Sequence, residues 1–423
     1  MTNTKIRKHL SLINFKKLSI ASIIIGFLSA FLGISLKRLT EYFEEILFHQ
    51  ANTHSIYFVL FPIIGFLIIA LLRQTLFKKK ENKGIKEIFE STNSKTKNLP
   101  KYKIASHFVN GFFTVIFGGS TGIEVSTVVA SATIGSLTQQ KANLFRKYKT
   151  ELICAGIAAG ITALFSSPVA GILFAYEVIS KKVGLPFILS TGIAVLIASG
   201  LSFLLEETPL FAINNISWHL YAIPYFILLG ILSGLNGVYL TKSVLFFKTQ
   251  FSKIESHYYK ISIGVLILSS SLLLFPELYG DGYHGIKAIL YSTKGTSFSI
   301  PFVLTLLGIL ILKPIVTSAT LGSGGDGGVF APSLFIGAFL GLLTSIVLNR
   351  YFDANVIPLN FMVLGMAATL SASIHAPFTA LFLVCGLTNN YTLFFPILAI
   401  CLISKYTAKM VYPFTVYSYT PIA

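Results

Sequence analysis

Two glycine-rich segments and one carboxylate are the parts of this chain whose types and spacing could do chemistry. Gly118-Gly119-Ser120-Thr121-Gly122-Ile123-Glu124-Val125-Ser126 aligns without gaps on Gly324-Gly325-Asp326-Gly327-Gly328-Val329-Phe330-Ala331-Pro332, at an offset of 206 residues. Each segment precedes an apolar stretch, Val125 to Leu137 in one case and Val329 to Leu348 in the other. Glycines permit unusual backbone angles and close approach. A helix that starts at such a break begins with unpaired N–H groups and a partial positive charge. That makes an anion site out of main chain alone. Two such starts facing each other would hold a small anion without a buried lysine, which is costly in a membrane. The alternative is that the glycines only permit close helix packing, as small-xxx-small patterns do. Their clustering at a segment start, rather than along a helix face, favours the break.

Glu124 lies inside the first of these helix starts. The stretch from Ile104 to Gln140 is otherwise uncharged, with His107 its other titratable group. An intramembrane carboxylate is a functional candidate by default. Ionised, it would occupy the anion site as a tethered competitor; protonated, it would swing away and leave the site to a free ion. The bland reading is a carboxylate that caps its own helix start. Glu177, in Gly171-Ile172-Leu173-Phe174-Ala175-Tyr176-Glu177-Val178, is a second acid in an apolar segment. Lys181 and Lys182 follow it closely, so an ion pair at the membrane interface competes with a transport role.

The elements that must position these residues are membrane helices. A 423-residue chain that is 54% hydrophobic and 12% charged, with mean hydropathy +0.75, has more apolar surface than a water-soluble domain hides. Leu18 to Leu36, Tyr57 to Leu72, Ile261 to Phe275 and Pro301 to Leu312 are predicted spans, several of them shorter than the roughly 20 residues a simple crossing needs. Tilted or part-way helices are expected, with opened backbone buried in protein or lining a polar cavity. A second block repeats as well. Gly156-Ile157-Ala158-Ala159, Ala163 and Pro168 align on Gly365-Met366-Ala367-Ala368, Ala372 and Pro377, at an offset of 209. Helices interrupted at corresponding points of two halves point to a transport site at the bilayer midplane. The fold class is therefore an all-α polytopic membrane protein, with two repeated halves and an inverted arrangement plausible. One membrane domain spans 1–423, its halves running from about 18 to 205 and from about 218 to 412, with no soluble regulatory domain.

The net charge of +17 could suggest a nucleic-acid partner, but its placement argues otherwise. Lys5, Arg7, Lys8, Lys16 and Lys17 precede the first span. Arg73, Lys78, Lys79, Lys80, Lys83, Lys86, Lys95, Lys97, Lys101 and Lys103 follow the second. That is the positive-inside pattern. It predicts a multi-pass protein of the cell membrane with a cytoplasmic N-terminus, anionic lipid as the partner of the basic segments, and no nucleic acid. The first apolar stretch is longer than a signal-peptide core, so it is read as an uncleaved helix. Cys154, Cys385 and Cys401 have no paired spacing and the histidines no ligand pattern, so no disulfide, metal or cofactor is expected. His375 stands beside Ala376-Pro377 and aligns with Ser166; a local hydrogen-bonding role is expected of it.

At these residues the chain resembles the CLC family of chloride channels and chloride/proton exchangers. Gly122-Ile123-Glu124-Val125-Ser126 is similar to that family's GxExP motif, and Gly328-Val329-Phe330-Ala331-Pro332 matches its GxFxP motif. Ser167-Pro168-Val169-Ala170-Gly171-Ile172-Leu173-Phe174 and Leu387-Thr388-Asn389-Asn390-Tyr391 also resemble family segments, in the right order, so that the likeness covers about Leu18 to Tyr419. The resemblance implies a CLC-like inverted repeat with tilted and broken helices, a homodimer with one pore per subunit, and chloride or another small anion as the transported partner. It implies Glu124 as the gating glutamate and the main-chain N–H groups of Val329 and Phe330 as the central anion cradle. Gly122 and Ile123 would line the same site, and Tyr417 would add a hydroxyl.

Three departures matter. The family's GSGIP motif appears as Asn82-Lys83-Gly84-Ile85-Lys86, which puts Lys83 where an anion-coordinating serine is usual. Lys83 would either attract anions to the inner mouth or point into water. Ser126 replaces the proline of GxExP. The internal glutamate by which family exchangers pass protons to the gate has Val178 as its counterpart, with Glu177 one place earlier. An apolar residue relays no proton. A channel-like or uncoupled conductance is therefore the first expectation, and chloride/proton exchange by another route the second. A membrane-embedded enzyme built on His375 is a remote third, since no nucleophile motif accompanies it.

Overall fold

The computed structural model describes residues 3–77, 80, 82–94, 96–141, 148–213, 217–292 and 299–418, with backbone alone for 3–13 and 291–292. Lys78, Lys79 and Lys95 of the basic connector and Tyr419 lie outside the described residues, as do the side chains of Lys5, Arg7 and Lys8.

Sixteen α-helices account for nearly all of the described chain. They are α1 (Asn3–Thr53), α2 (Tyr57–Thr75), α3 (Ile85–Thr92), α4 (Tyr102–Ile116), α5 (Glu124–Lys141), α6 (Lys149–Phe165), α7 (Pro168–Phe174) and α8 (Leu185–Leu204), followed by α9 (Ile223–Ser252), α10 (His257–Leu274), α11 (Tyr283–Ser292), α12 (Ile300–Gly322), α13 (Phe330–Tyr351), α14 (Pro358–Ile374), α15 (Pro377–Thr388) and α16 (Phe394–Val411). Eight helical segments, in α1, α2, α8, α9, α10, α12, α13 and α16, are long and apolar enough to cross a membrane. The chain is thus a multi-pass membrane protein. Shorter apolar helices occur as well: α14, α15 and the segment Pro168–Ser180. The predicted spans are found with longer bounds. The first extends from Leu18–Leu36 to a helix that continues to Thr53, and the span at Pro301–Leu312 runs on through Lys313 and Pro314 to Gly322. Charge stops an apolar window, but it does not stop a helix whose charged side chain finds buried partners.

The chain divides into two compact units, Met1–Lys37, Asn82–Phe108 and Ser126–Pro209 in one, Arg38–Glu81, Val109–Val125 and Leu210–Ala423 in the other. In the first unit, Leu18, Ile25, Ala130, Leu152, Ala155, Ala159, Ala194 and Ala198 belong to one buried core. Small residues let helix backbones touch there. A Cβ added at Gly135 would lie 2.2 Å from Leu152 O, and one at Gly156 2.2 Å from Ser131 O, so α5 and α6 pack backbone to backbone. The second unit makes the same contact with its own copies. A Cβ at Gly341 would lie 2.0 Å from Phe361 O, and one at Gly365 2.1 Å from Gly337 O, joining α13 and α14. The residues on α13 are the α5 positions shifted by 206, and those on α14 are the α6 positions shifted by 209. Close packing by small residues, the alternative use of glycine, is present too, but it uses the glycines along these helices rather than those of the breaks.

Each copy also ends in the same way. Ser166 closes α6 and His375 closes α14 in the left-handed region, at φ 51° and 56°. This conformation usually falls to glycine. In both copies a proline then opens the next helix, at Pro168 and Pro377. The alignment of His375 with Ser166 is therefore an equivalence of backbone shape.

Candidate functional site

The two glycine-rich breaks meet each other within the second unit. Gly122 and Gly328, equivalent positions of the repeat, form an antiparallel bridge: Gly122 N donates to Gly328 O at 3.4 Å, and Gly328 N donates to Gly122 O at 3.1 Å. The surrounding bonds come in matched pairs. Ser120 N donates to Thr320 Oγ1 at 3.2 Å, and its counterpart Asp326 N donates to Thr114 Oγ1 at 2.9 Å. Gly119 N donates to Thr114 O at 2.8 Å, and Gly325 N donates to Thr320 O at 3.0 Å. Gly118 and Gly324 both take positive φ, 86° and 109°. Equivalent residues that bond one another reciprocally are what a local two-fold relation between the breaks produces. Ser120, Thr114 and Thr320 are all buried, so these bonds also satisfy polar groups shielded from solvent.

Beyond the bridge the two copies differ. Glu124 is the first residue of α5 and is 1% exposed. Its carboxylate folds back over Gly122, where an added Cβ would lie 1.8 Å from Oε2. Tyr283 Oη donates to Oε1 at 2.8 Å, while Oε2 has no hydrogen-bond partner. The main-chain N–H groups of Glu124 itself and of Ala331 face the carboxylate. Ala331 belongs to the first turn of α13, so the carboxylate borne by one break lies at the helix start of the other. On that second side Val329 precedes α13 with no side-chain cap, and Val329 and Phe330 are fully buried. The Tyr417 hydroxyl comes to the same place. A Cβ at Gly328 would lie 3.5 Å from Tyr417 Oη, and this buried oxygen has no hydrogen-bond partner, although part of the residue is exposed.

The structure thus brings together Glu124, Gly122, Val329, Phe330 and Tyr417 in one place. Gly122's N–H is engaged by Gly328 O, and Ile123 is buried between Gly122 and Glu124. Lys83 belongs to the first unit, where its side chain is exposed and its main-chain N donates to Glu87 Oε1 at 2.5 Å. Glu177 is half-buried and Val178 buried on a π-helical turn, Ala175–Ser180, that continues α7. The cysteines are buried singly, and no cluster able to hold a metal occurs among the described residues.

Sequence reading missed the supports of this site. A turn before α11 presents Tyr283, and three buried charged residues surround it. Lys313 Nζ donates to Leu278 O at 3.2 Å and Gly280 O at 3.3 Å, Glu44 Oε1 accepts from Asp281 N at 3.2 Å, and Asp281 Oδ1 accepts from Tyr283 N at 2.8 Å. Glu44, Asp281 and Lys313 are 1%, 5% and 0% exposed. The signal was present: charged residues inside or just beyond apolar stretches ask for buried partners. Glu124 and Glu177 stand out on that ground, whereas Lys313 directly follows the predicted span ending at Leu312 and Glu44 lies eight residues beyond the one ending at Leu36.

A family model described as voltage gated chloride channel matches residues 65–409. A voltage-gated ClC-type chloride channel, ClcB, from Escherichia coli is 28% identical over 311 residues, 72% of this chain and 72% of that protein. Among solved structures, a slow cyanobacterial Cl-/H+ antiporter superposes with TM-score 0.81 at 22% identity, covering 95% of this chain and 96% of its own. A CLC-type fluoride/proton antiporter superposes with TM-score 0.76 at 23% identity, covering 99% and 98%. At such identities the structural likeness speaks for the fold.

Proposed function

The chain belongs to the voltage gated chloride channel family, and from that premise we propose that it carries chloride or a similar small anion through a pore gated by the Glu124 carboxylate. The observation that carries this reading is the carboxylate's place: buried, folded over Gly122 and facing the start of α13. An ionised carboxylate there supplies the negative charge that the helix start attracts. Protonation removes that charge, and a free anion then competes for the N–H groups of Val329 and Phe330 and for the Tyr417 hydroxyl. Proton and anion thus act in the same direction on one gate. Family members move anions and are not enzymes, so the enzymatic reading of His375 is set aside.

Val178, buried at the position of the usual internal proton relay, supports a conductance uncoupled from protons. The half-buried Glu177 next to it favours exchange as the second reading. A homodimer in the cell membrane, with the N-terminus and the basic connector inside, completes the proposal, and Lys83 then adds positive charge at the inner side. Purified protein in liposomes tests both levels. Anion flux should rise as pH falls in the wild type and lose that dependence in Glu124→Gln; a retained pH profile removes Glu124 from the gate. An outward or inward chloride gradient should drive no uphill proton movement. Stoichiometric proton pumping would replace the conductance with the exchanger.

A further inference from the structure

We propose that Tyr283 is the latch of the gate, a positioning residue whose hydroxyl holds the Glu124 carboxylate in its docked place; the inference rests on the gating role proposed for Glu124. Among the described residues, the bond from Tyr283 Oη is the side-chain hydrogen bond this carboxylate receives, and Oε2 receives none. Beside the main-chain N–H groups of Glu124 and Ala331 that face the carboxylate, Tyr283 is thus the side chain that sets how firmly the docked form is held. The tyrosine is bound to the arrangement in turn. It is buried at 7% exposure with its ring edge-on to Phe211, centroids 5.5 Å apart, so a departing carboxylate leaves a phenol without a partner.

The turn that aims Tyr283 is held more tightly than packing alone requires. Gly280 and Gly282 take φ of 57° and 85°, which side chains disfavour, and a Cβ at Gly280 would lie 1.8 Å from Glu44 Oε1. Glu44 on α1 and Lys313 on α12 fasten the turn from two different helices, and Asp281 fastens the Tyr283 amide from within. Buried charges are expensive and need such partners. Here their hydrogen bonds converge on the residues from Leu278 to Tyr283, where they fix the direction of one hydroxyl. The charged and titratable groups that face the Glu124–Tyr283 pair are Asp281 on the turn, Glu41 on α1 and Tyr417, and Asp281 is faced in turn by Glu44 on α1 and Lys313 on α12.

A donor to the ionised carboxylate favours the ionised, docked form. Removing it favours protonation and release, so the gate should open at higher pH. The test is anion flux against pH in liposomes for the full chain, Tyr283→Phe, Glu124→Gln and the double variant. Tyr283→Phe should move the half-activation pH upward by roughly one to two units, the scale of one hydrogen bond to a charged group. Glu124→Gln should be flat, and the double variant should match it, which also establishes that the phenylalanine protein folds and conducts. A flat Glu124→Gln profile with an unmoved Tyr283→Phe profile overturns the latch and leaves the gate. An equal effect of Tyr283→Phe on both backgrounds makes it a packing change and overturns the latch as well. A pH-dependent Glu124→Gln overturns the gate itself.

Discussion

The two glycine-rich breaks are alike in main chain and unlike in cargo. Both turn through a positive-φ glycine, both send an amide to the other's threonine, and they bond to each other at Gly122 and Gly328. Yet the first helix begins with Glu124, and the second begins with Phe330 at the same repeat position. Symmetry therefore builds the pair of helix starts, and one departure from it sets a carboxylate at one of them. The lesson is that a repeated main-chain shape leaves room for one titratable side chain to set the copies apart, and on the proposed reading that side chain is the gate.

The strongest way to break this comparison is to add one methyl group to each bridge glycine. At Gly122 the new Cβ meets the carboxylate of Glu124 at 1.8 Å, the far end of a flexible side chain that can leave. Gly122→Ala should evict the gate: flux at neutral pH should rise to its acidic plateau, by about tenfold for each pH unit between them. At Gly328 the new Cβ meets Val125 Cγ2 at 2.2 Å and Cβ at 2.9 Å, a stiff β-branched side chain that cannot. Gly328→Ala should instead lower stability by about 1–3 kcal/mol, read as a fall in the melting temperature in detergent, with the half-activation pH unmoved. Equal behaviour of the two variants would mean that the breaks are functionally interchangeable.

A smaller effect sharpens the symmetric part. Thr114→Val and Thr320→Val each strip the acceptor from a buried amide, Asp326 N in one case and Ser120 N in the other. Each should cost about 1–3 kcal/mol in thermal unfolding, and the two losses should be similar. A large inequality would show that one half carries the bridge. The smallest change in stability is expected from Tyr417→Phe. Its hydroxyl has no protein partner, so its removal should alter stability by less than about 0.5 kcal/mol. The concentration of anion that half-saturates flux should nevertheless rise, and an unchanged value would remove Tyr417 from the anion site.

Much of this was legible in the sequence because it rests on backbone. Glycine clusters, their equal offsets and the apolar stretches after them announce where helices begin, and α5 and α13 start within one residue of the positions predicted. The carboxylate was legible because a lone acid among apolar residues has few structural uses. What stayed hidden depends on chain segments far apart in sequence. Tyr283 is 159 residues from Glu124, and no local spacing announces that its hydroxyl finds that carboxylate. Lys313 directly follows the predicted span that ends at Leu312, and Glu44 lies eight residues beyond the one that ends at Leu36, because hydropathy scores a charge as outside unless its partners are known. The shared shape of Ser166 and His375 was hidden for a different reason: neither is the glycine that a left-handed helix end advertises.

The π-helical turn at Ala175–Ser180 accounts for a one-residue difference between the two copies. Pro168 and Pro377, which open the equivalent helices, are 209 apart, but the left-handed residues that close them, Lys181 and Asn389, are 208 apart. The first copy holds one residue more, and the wide turn absorbs it without disturbing what lies on either side. Such a turn holds one residue more than the α-helical turn it replaces. Deleting one residue from it would restore an ordinary helix and rotate the neighbouring positions by about 100°. The side chain at 177 would then trade its bearing with a neighbour's. A single residue thus separates two helix faces, one presenting an acid and the other a valine.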